Sequence, residues 1–231
     1  MKYRIEKIIC LVLDISRSEC KKVLKSERIK INGIIISKPR VIDINKDNIE
    51  IDGELIQYKE FQYFMFNKPS GLITANYDLK QKTIFSILNL NSNKFFAIGR
   101  LDKDTEGLLL ITNDGEMAHK ISNPKYKIPK KYYFELNKEM TTNIKDHIPK
   151  PIILLNGYQV KEYNFEFLDL KSGYLTIYEG KFHQVKEMLN FFNYEITFLK
   201  RISIGKLELD SKLEIGKMKE LELKDLELIF K

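Results

Sequence analysis

The chain has 231 residues, of which 43% are hydrophobic and 31% are charged, enough for one large domain or two modest ones. Its longest apolar runs, such as residues 8–13, are far shorter than the ~18 residues that span a bilayer, and no signal peptide is recognisable, so we expect a cytoplasmic protein without membrane contact. Two separated cysteines and three scattered histidines offer no metal-ligand spacing, so we expect no metal site.

Positive charge is concentrated at the N-terminal end. Residues 1–40 contain 11 Lys or Arg against 4 Asp or Glu, an excess equal to the whole formal net charge of +7. Clustered cations attract phosphate groups, which favours a module that binds a polyanion. A lysine-rich solvated surface explains the same numbers equally well, and charge alone does not separate the two hypotheses.

A helix and a hairpin are predicted in this basic segment. Ser16 and Glu19 have the spacing of a capping box, so a helix should begin near Arg17. Its apolar positions share one face, and five basic residues lie among the other positions: Arg17, Lys21, Lys22, Lys25 and Arg28. Farther along, Asn32-Gly33 separates two isoleucine-rich runs, which is typical of a two-residue hairpin turn.

The ordered motifs of this segment resemble the S4 RNA-binding domain. They are Arg4-Ile5-Glu6-Lys7, the capping box, Ile29-Lys30-Ile31-Asn32-Gly33 and Lys38-Pro39, and the resemblance covers residues 1–57. It implies a small module of two helices and a sheet that holds structured RNA through phosphate and shape contacts. We therefore expect RNA contacts from Arg17, Lys21 and Lys22.

A second domain is expected to begin where the basic bias ends, near residue 58. Residues 61–67 are predicted to form a strand that stops at Lys68-Pro69-Ser70-Gly71, because proline cannot donate to a sheet and glycine allows a sharp reversal. Neither a repeat nor a low-complexity segment follows. We therefore assign residues 60–231 to a single domain.

A charged loop followed by an apolar strand is the most informative segment of the chain. The loop is Gly99-Arg100-Leu101-Asp102-Lys103-Asp104-Thr105-Glu106-Gly107, and residues 108–112 are predicted to form the strand. Such a loop places polar groups at the rim of a sheet, a frequent position for catalytic residues, although charged loops are more often only solvated. The string is similar to the signature loop of the RsuA/RluB/RluE/RluF branch of RNA pseudouridine synthases.

Further segments resemble motifs of the same branch, so the resemblance extends over essentially the whole chain. They are Lys68-Pro69-Ser70-Gly71, Lys130-Lys131-Tyr132, residues 179–188 and residues 199–205. Two positions depart from the pattern: Lys181 stands where the family often has Arg, and Glu187 where a basic residue is common. These departures concern RNA contacts rather than the reaction.

The resemblance implies three catalytic residues. Isomerising uridine requires breaking the N1–C1′ bond, turning the uracil and joining C5 to C1′, and the carboxylate of Asp102 is the implied nucleophile. Tyr132 would stack on the flipped base, and Lys186 would pair with Asp102 and keep it ionised. By pattern alone, Tyr132 would be a core aromatic and Lys186 a surface lysine. Asp104, in the same loop, receives no role as a nucleophile.

The same resemblance implies substrate contacts around the nucleophile. Arg100 would hold phosphate or fill the gap that the uridine leaves in its stack. Leu199 would close an apolar wall around the site, whereas by pattern alone it is plain core. Lys68, in the first turn motif, is also expected to contact the substrate. Neither a metal nor an organic cofactor is implied.

The predicted architecture is α+β, with a small S4-like domain followed by a catalytic domain. Strands are predicted at residues 61–67, 108–112, 132–136, 174–177 and 197–202, and a helix at residues 184–192. Strands interrupted by helices in this order indicate a mixed, mainly antiparallel sheet. The resemblance implies the same core, with the site in a cleft across the sheet.

The implied substrate is ribosomal RNA. Within the branch, His183-Gln184-Val185-Lys186 is more similar to the enzyme of the small subunit, so we expect 16S rRNA or an assembling small subunit as the partner, and a monomeric protein. Two alternatives stay open. One is a pseudouridine synthase acting on 23S rRNA of the large subunit. The other is a non-catalytic RNA-binding factor of ribosome assembly.

Overall fold

The computed structural model describes residues 2–44, 46–56, 58–141 and 143–231. The chain divides into two compact units, residues 1–60 and 61–231. The sequence placed the end of the first domain at Gln57, which lies outside the described residues, and the start of the second at residue 60.

The basic segment of the first unit folds as its local sequence predicts. The helix begins at Arg17 because the Ser16 side chain accepts the amide of Glu19 while the Glu19 carboxylate accepts the amide of Ser16. Asn32 and Gly33 have φ angles of 54° and 78° and join two paired strands, which confirms the hairpin. In chain order the elements are β1 (Lys2–Arg4), α1 (Ile5–Leu13), α2 (Arg17–Lys25), β2 (Ile29–Ile31), β3 (Ile34–Ile35), β4 (Val41–Asp43), β5 (Ile49–Ile51) and β6 (Glu54–Ile56).

Isoleucines form most of the core of the first unit. Ile5, Ile8 and Ile9 of α1 are fully buried and pack with Leu24 of α2 and with the strands. Cys20 is buried and Cys10 half-buried, both as free thiols. The opposite side of α2 is polar and exposes Arg17, Lys21 and Lys22 to solvent.

The second unit contains one large sheet and a separate two-stranded sheet. Its strands are β7 (Tyr63–Lys68), β8 (Phe96–Ile98), β9 (Glu106–Thr112), β10 (Lys130–Leu136), β11 (Ile152–Ile153), β12 (Gln159–Val160), β13 (Tyr163–Phe167), β14 (Ser172–Ile177), β15 (Ile196–Ile204), β16 (Leu207–Glu208) and β17 (Met218–Glu220). Its α-helices are α3 (Gly115–Ser122), α4 (Asn143–His147), α5 (Gln184–Asn190) and α6 (Leu223–Glu227). Short 3-10 turns cover Ile84–Ser86, Pro124–Tyr126 and Leu228–Phe230.

The sheet is mixed and mainly antiparallel, which confirms the predicted fold class. Its strand order is β13-β14-β10-β15-β9-β7-β17, with β8 beside β9 and β16 beside β15. Only β9 and β15 pair in parallel within this path. The strand after the charged loop therefore runs through the middle of the sheet, and the loop lies at its edge.

Strand β9 is buried on both faces because the sheet carries a core on each side. Leu109 and Ile111 pack into one apolar cluster, and Leu108 and Leu110 pack into the other. This alternation follows from the two-residue period of a strand. It explains why a continuous apolar run, rather than an alternating one, follows the charged loop. The loop thus leaves a rigid central strand.

Candidate active site

A buried lysine donates hydrogen bonds to the backbone of the charged loop. Lys68, at the end of β7, is 0% exposed, and its Nζ donates to the carbonyl oxygens of Pro69, Asp102, Lys103 and Thr105 at 2.9–3.3 Å. Burial lowers the pKa of Lys68 to about 8, although the nearby carboxylates, Asp104 first, oppose that shift. The substrate contact expected from the sequence does not fit this position, because the ammonium group is enclosed by the loop backbone.

Two further contacts from the turn after β7 fix the same loop. The Thr74 hydroxyl donates to the Leu101 carbonyl at 2.8 Å and accepts the Leu101 amide at 3.1 Å. The Gly71 amide donates to the Lys103 carbonyl at 2.7 Å, with Gly71 at a φ of +89° that glycine tolerates best. The backbone on both sides of Asp102 is therefore held by the Lys68-Pro69-Ser70-Gly71 turn and its continuation.

The Asp102 carboxylate is half-buried and faces two side chains of the segment that begins α5. Lys186 Nζ lies 3.5 Å from Asp102 Oδ2, and His183 Nε2 lies 3.6 Å from Asp102 Oδ1. His183 is the N-cap residue of α5, in the left-handed conformation with a φ of 49°, and Lys186 lies in the first turn of the helix. The structure therefore brings Asp102 and Lys186 together and adds His183, which the sequence interpretation missed. Its place in the same short motif as Lys186 was the signal that could have found it.

Asp104 makes closer contact with Lys186 than Asp102 does. Lys186 Nζ donates to both Asp104 carboxylate oxygens, at 2.6 and 2.8 Å. Burial alone would raise the pKa of Asp104, but the hydrogen bond and the charge of Lys186 outweigh it and lower that pKa. Asp104, to which the motif gave no role, thus positions the cation next to Asp102.

The residue before Asp102 packs into the main apolar cluster of the second unit. Leu101, adjacent to Asp102, belongs to the same buried cluster as Tyr132 and Leu199. Strand register accounts for this, because Tyr132 and Phe134 of β10 lie opposite Arg201 and Leu199 of β15. Leu199 is buried in this cluster, and its role as a wall of the site stays a prediction. Tyr132 is only 7% exposed, so little of its ring is open to a stacking base in this conformation.

Arg201 is a buried cation that the sequence interpretation left without a role. It is 2% exposed, its Nε donates to the Leu108 carbonyl at 2.7 Å, and its Nη1 lies 3.4 Å from the Tyr132 hydroxyl. The third nitrogen, Nη2, is buried without a hydrogen-bond partner among the described residues. Arg201 therefore ties the strand after the Asp102 loop to the strand that carries Tyr132.

Lys130 adds a second positive charge near Arg201. Its Nζ donates to the Ile128 carbonyl at 3.1 Å. Burial lowers the pKa of Lys130 to about 8, and the charge of Arg201 lowers it further in the same direction. Lys130 and Tyr132 are two positions apart on β10, so their side chains share a face of the sheet. Lys130 and Arg201 therefore place two positive charges on the strands beside Tyr132.

The remaining predicted contacts are exposed. Arg100 is open to solvent two residues before Asp102, and Arg17, Lys21 and Lys22 belong to the first unit. Across the described ranges, no three His, Cys, Asp or Glu side chains are grouped so as to hold a metal ion. Nor is any helix in those ranges long and apolar enough to cross a membrane.

Comparisons with known proteins identify the family of this chain. Residues 62–191 match the family described as RNA pseudouridylate synthase. The chain is 37% identical to an uncharacterised RNA pseudouridine synthase of Bacillus subtilis, over 93% of this chain and 92% of that protein. It is 34% identical to the ribosomal small subunit pseudouridine synthase A of Haemophilus influenzae, over 99% and 100%.

Two further relatives extend the comparison. The ribosomal large subunit pseudouridine synthase B of Bacillus subtilis is 33% identical, over 94% of this chain and 91% of that protein. A crystal structure of a pseudouridylate synthase superimposes with a TM-score of 0.69 at 33% identity, covering 98% of this chain and 99% of that one. The chain belongs to the RNA pseudouridine synthases, of the type that includes the small-subunit synthase A and the large-subunit synthase B. It is therefore an isomerase that acts on RNA, which confirms the predicted activity.

Proposed function

We propose that this RNA pseudouridine synthase isomerises a uridine of 16S rRNA, with Asp102 as its nucleophile. The observation that carries the chemistry is the position of the Asp102 carboxylate. It is 28% exposed, lies within 3.6 Å of Lys186 and His183, and sits on a loop whose backbone is fixed by Lys68. A partly exposed carboxylate held beside a cation is still accessible to a substrate.

The reaction exchanges one glycosidic bond for another. The N1–C1′ bond breaks, the detached uracil turns within the site, and C5 bonds to C1′; the C5 proton is lost and N1 gains one, so atoms and charge balance. Asp102 would act by attack at C1′, by addition to the base, or by assisting elimination to a glycal. In each route the carboxylate supplies an electron pair, to C1′, to an electron-poor carbon of the base, or to the sugar proton that leaves in the elimination.

The neighbouring side chains support the same chemistry. Lys186, held by Asp104, would pair with Asp102 and leave it open to the substrate, because their 3.5 Å contact is longer than a tight ion pair. Leu101, Leu199 and Tyr132 would exclude water from the uracil, which strengthens electrostatic interactions in the site. Arg100, exposed at the entrance of the loop, would contact phosphate or replace the flipped uridine.

The first unit would bind structured RNA. Its support is the exposed basic side of α2, together with the resemblance of its ordered motifs to the S4 domain. The exposed side chains of this face can approach phosphates: Arg17, Lys21 and Lys22. The nearby carboxylate of Glu19 accepts hydrogen bonds from Ser16. The unit would contribute affinity, and the second unit the reaction.

The assignment to 16S rRNA rests on two observations. His183-Gln184-Val185-Lys186 is similar to the small-subunit enzyme, and the small-subunit synthase A of Haemophilus influenzae matches this chain from end to end. Modification of 23S rRNA is the second candidate, because the large-subunit synthase B of Bacillus subtilis is nearly as similar. Substrate choice therefore needs a direct measurement.

The test is to map pseudouridines in both rRNAs from cells that lack the gene. We expect one pseudouridine to disappear from 16S rRNA and to return with the wild-type gene. It should not return with Asp102→Asn, which keeps the size of the side chain and removes its charge. Asp78→Asn, in a separate exposed turn, is the matched control and should restore the modification.

Each outcome is decisive. A missing pseudouridine in 23S rRNA would transfer the function to the large subunit. Restoration by a folded Asp102→Asn protein would remove Asp102 from the chemistry. Unchanged pseudouridine maps of both rRNAs would contradict an rRNA substrate.

A further inference from the structure

An exposed aromatic stack stands beside the reaction site. Phe182 is 76% exposed, and its ring lies almost parallel to the His183 imidazole, with centroids 3.8 Å and planes 18° apart. His183 in turn has its Nε2 3.6 Å from the Asp102 carboxylate. The two rings therefore form a short stack that leads from the nucleophile into solvent.

The surroundings of this stack suit a polyanion with flat rings. Lys181 and Lys186 flank the pair along the chain, and Lys181 Nζ is held 4.3 Å from the centroid of the Tyr158 ring. One face of the Phe182 ring is covered by His183, and the exposure of the residue leaves its remaining surface open. Aromatic rings that alternate with cations are the usual platform for unpaired bases.

The proposed reaction also creates a ligand for such a platform. A uridine that leaves its stack to reach Asp102 deprives the adjacent base of a stacking partner. We propose that Phe182, supported by His183, stacks on the unpaired base next to the target uridine. This proposal rests on the proposed function and identifies what the site recognises beyond the uridine itself. Phe182 acts in binding, and Asp102 in chemistry.

The test uses the full chain and an RNA fragment that carries the mapped uridine. Phe182→Leu removes the ring and keeps apolar bulk, while Phe182→Tyr keeps the ring and is the matched control. Stacking of a base on an aromatic side chain is worth ~1–3 kcal/mol, so Phe182→Leu should raise the half-saturating RNA concentration roughly 5- to 100-fold. Its turnover at saturation should change far less, and Phe182→Tyr should stay within about two-fold of wild type.

Abasic RNAs identify the partner of the ring. Fragments that lack the base immediately 5′ or 3′ of the uridine, with the phosphates intact, are compared for wild type and Phe182→Leu. With one of them, wild type should lose affinity and the two proteins should become equal. Thermal melting should be unchanged in both variants, because the ring is mostly in solvent.

Two results overturn the inference. In one, Phe182→Leu binds the intact fragment as wild type does. In the other, its defect is the same for every abasic RNA, so the ring recognises no base. If wild type itself forms no pseudouridine on any rRNA fragment, the proposed function fails and this inference fails with it. If wild type is active and only the Phe182 pattern is missing, the inference alone fails.

Discussion

The contact between Asp104 and Lys186 leads us to predict that Asp104 affects turnover. Asp104→Asn keeps the shape of the side chain and removes the charge that holds Lys186 Nζ at 2.6 and 2.8 Å. Lys186 would then be positioned only by its 3.5 Å contact with Asp102. We expect turnover to fall, with little change in RNA affinity, because the cation beside the nucleophile becomes less ordered.

The size of this effect follows from exposure. Asp104 is 68% exposed, so solvent screens its ion pair, and exposed pairs contribute only ~0.2–1 kcal/mol. At ~1.4 kcal/mol per factor of ten, the loss is at most about five-fold. Asp102→Asn should instead abolish detectable turnover, because no other group supplies the missing nucleophile. The two substitutions in one loop thus differ by orders of magnitude.

Single-turnover pseudouridine formation on saturating rRNA fragments measures both effects. Lys186→Met supplies the decisive background, because Asp104 acts on Asp102 through Lys186. Adding Asp104→Asn to Lys186→Met should cost nothing further. Additive losses in the double variant, or equal losses in Asp102→Asn and Asp104→Asn, would refute this account of the loop.

Three further predictions test other parts of the structure. Replacing Arg17, Lys21 and Lys22 by Gln should reduce the slope of log affinity for RNA against log salt concentration by about 2–3. Exchanging Arg and Lys at these positions keeps the charge and should preserve the slope. An unchanged slope in the Gln variant would contradict an RNA-binding role. Lys68→Met should lower the free energy of unfolding by about 2 kcal/mol or more and reduce activity, because carbonyl oxygens of the Asp102 loop lose their donor. If urea unfolding gives the variant the same free energy of unfolding as wild type, the hydrogen bonds of Lys68 do not stabilise the loop. Lys130→Met should be more stable than wild type by up to about 3 kcal/mol at pH 7, because the pKa of Lys130 is 10.5 in the unfolded chain and about 8 in the folded protein. This difference in unfolding free energy should shrink between pH 8 and 10.5, where the folded protein has released the proton that the unfolded chain still holds. A difference that does not vary with pH would show that Lys130 is not a buried cation.

Local sequence was sufficient wherever neighbouring residues make the structure. The Ser16 and Glu19 capping box and the Asn32-Gly33 turn depend on contacts within a few positions, and both formed as predicted. The five strands predicted for the second unit were located correctly but not their ends, and β8, β11, β12, β13, β16 and β17 were not predicted. For example, residues 197–202 extend to Ile196–Ile204, because β15 pairs with β10 along its length and with β16 at its end. Strand ends are set by partners distant in sequence.

The sequence alone determined the family, the fold class and the identity of the charged loop, because these are written in consecutive residues. The tertiary structure decided what each side chain touches. Lys68 was expected to contact the substrate and instead donates hydrogen bonds to the backbone of the charged loop, because β7 ends next to that loop. Asp104 and Lys186 are 82 positions apart, and Arg201 and Tyr132 are 69 apart, so no local pattern could reveal either contact. Only the folding of β9, β10, β15 and α5 around one site places these groups within reach of one another.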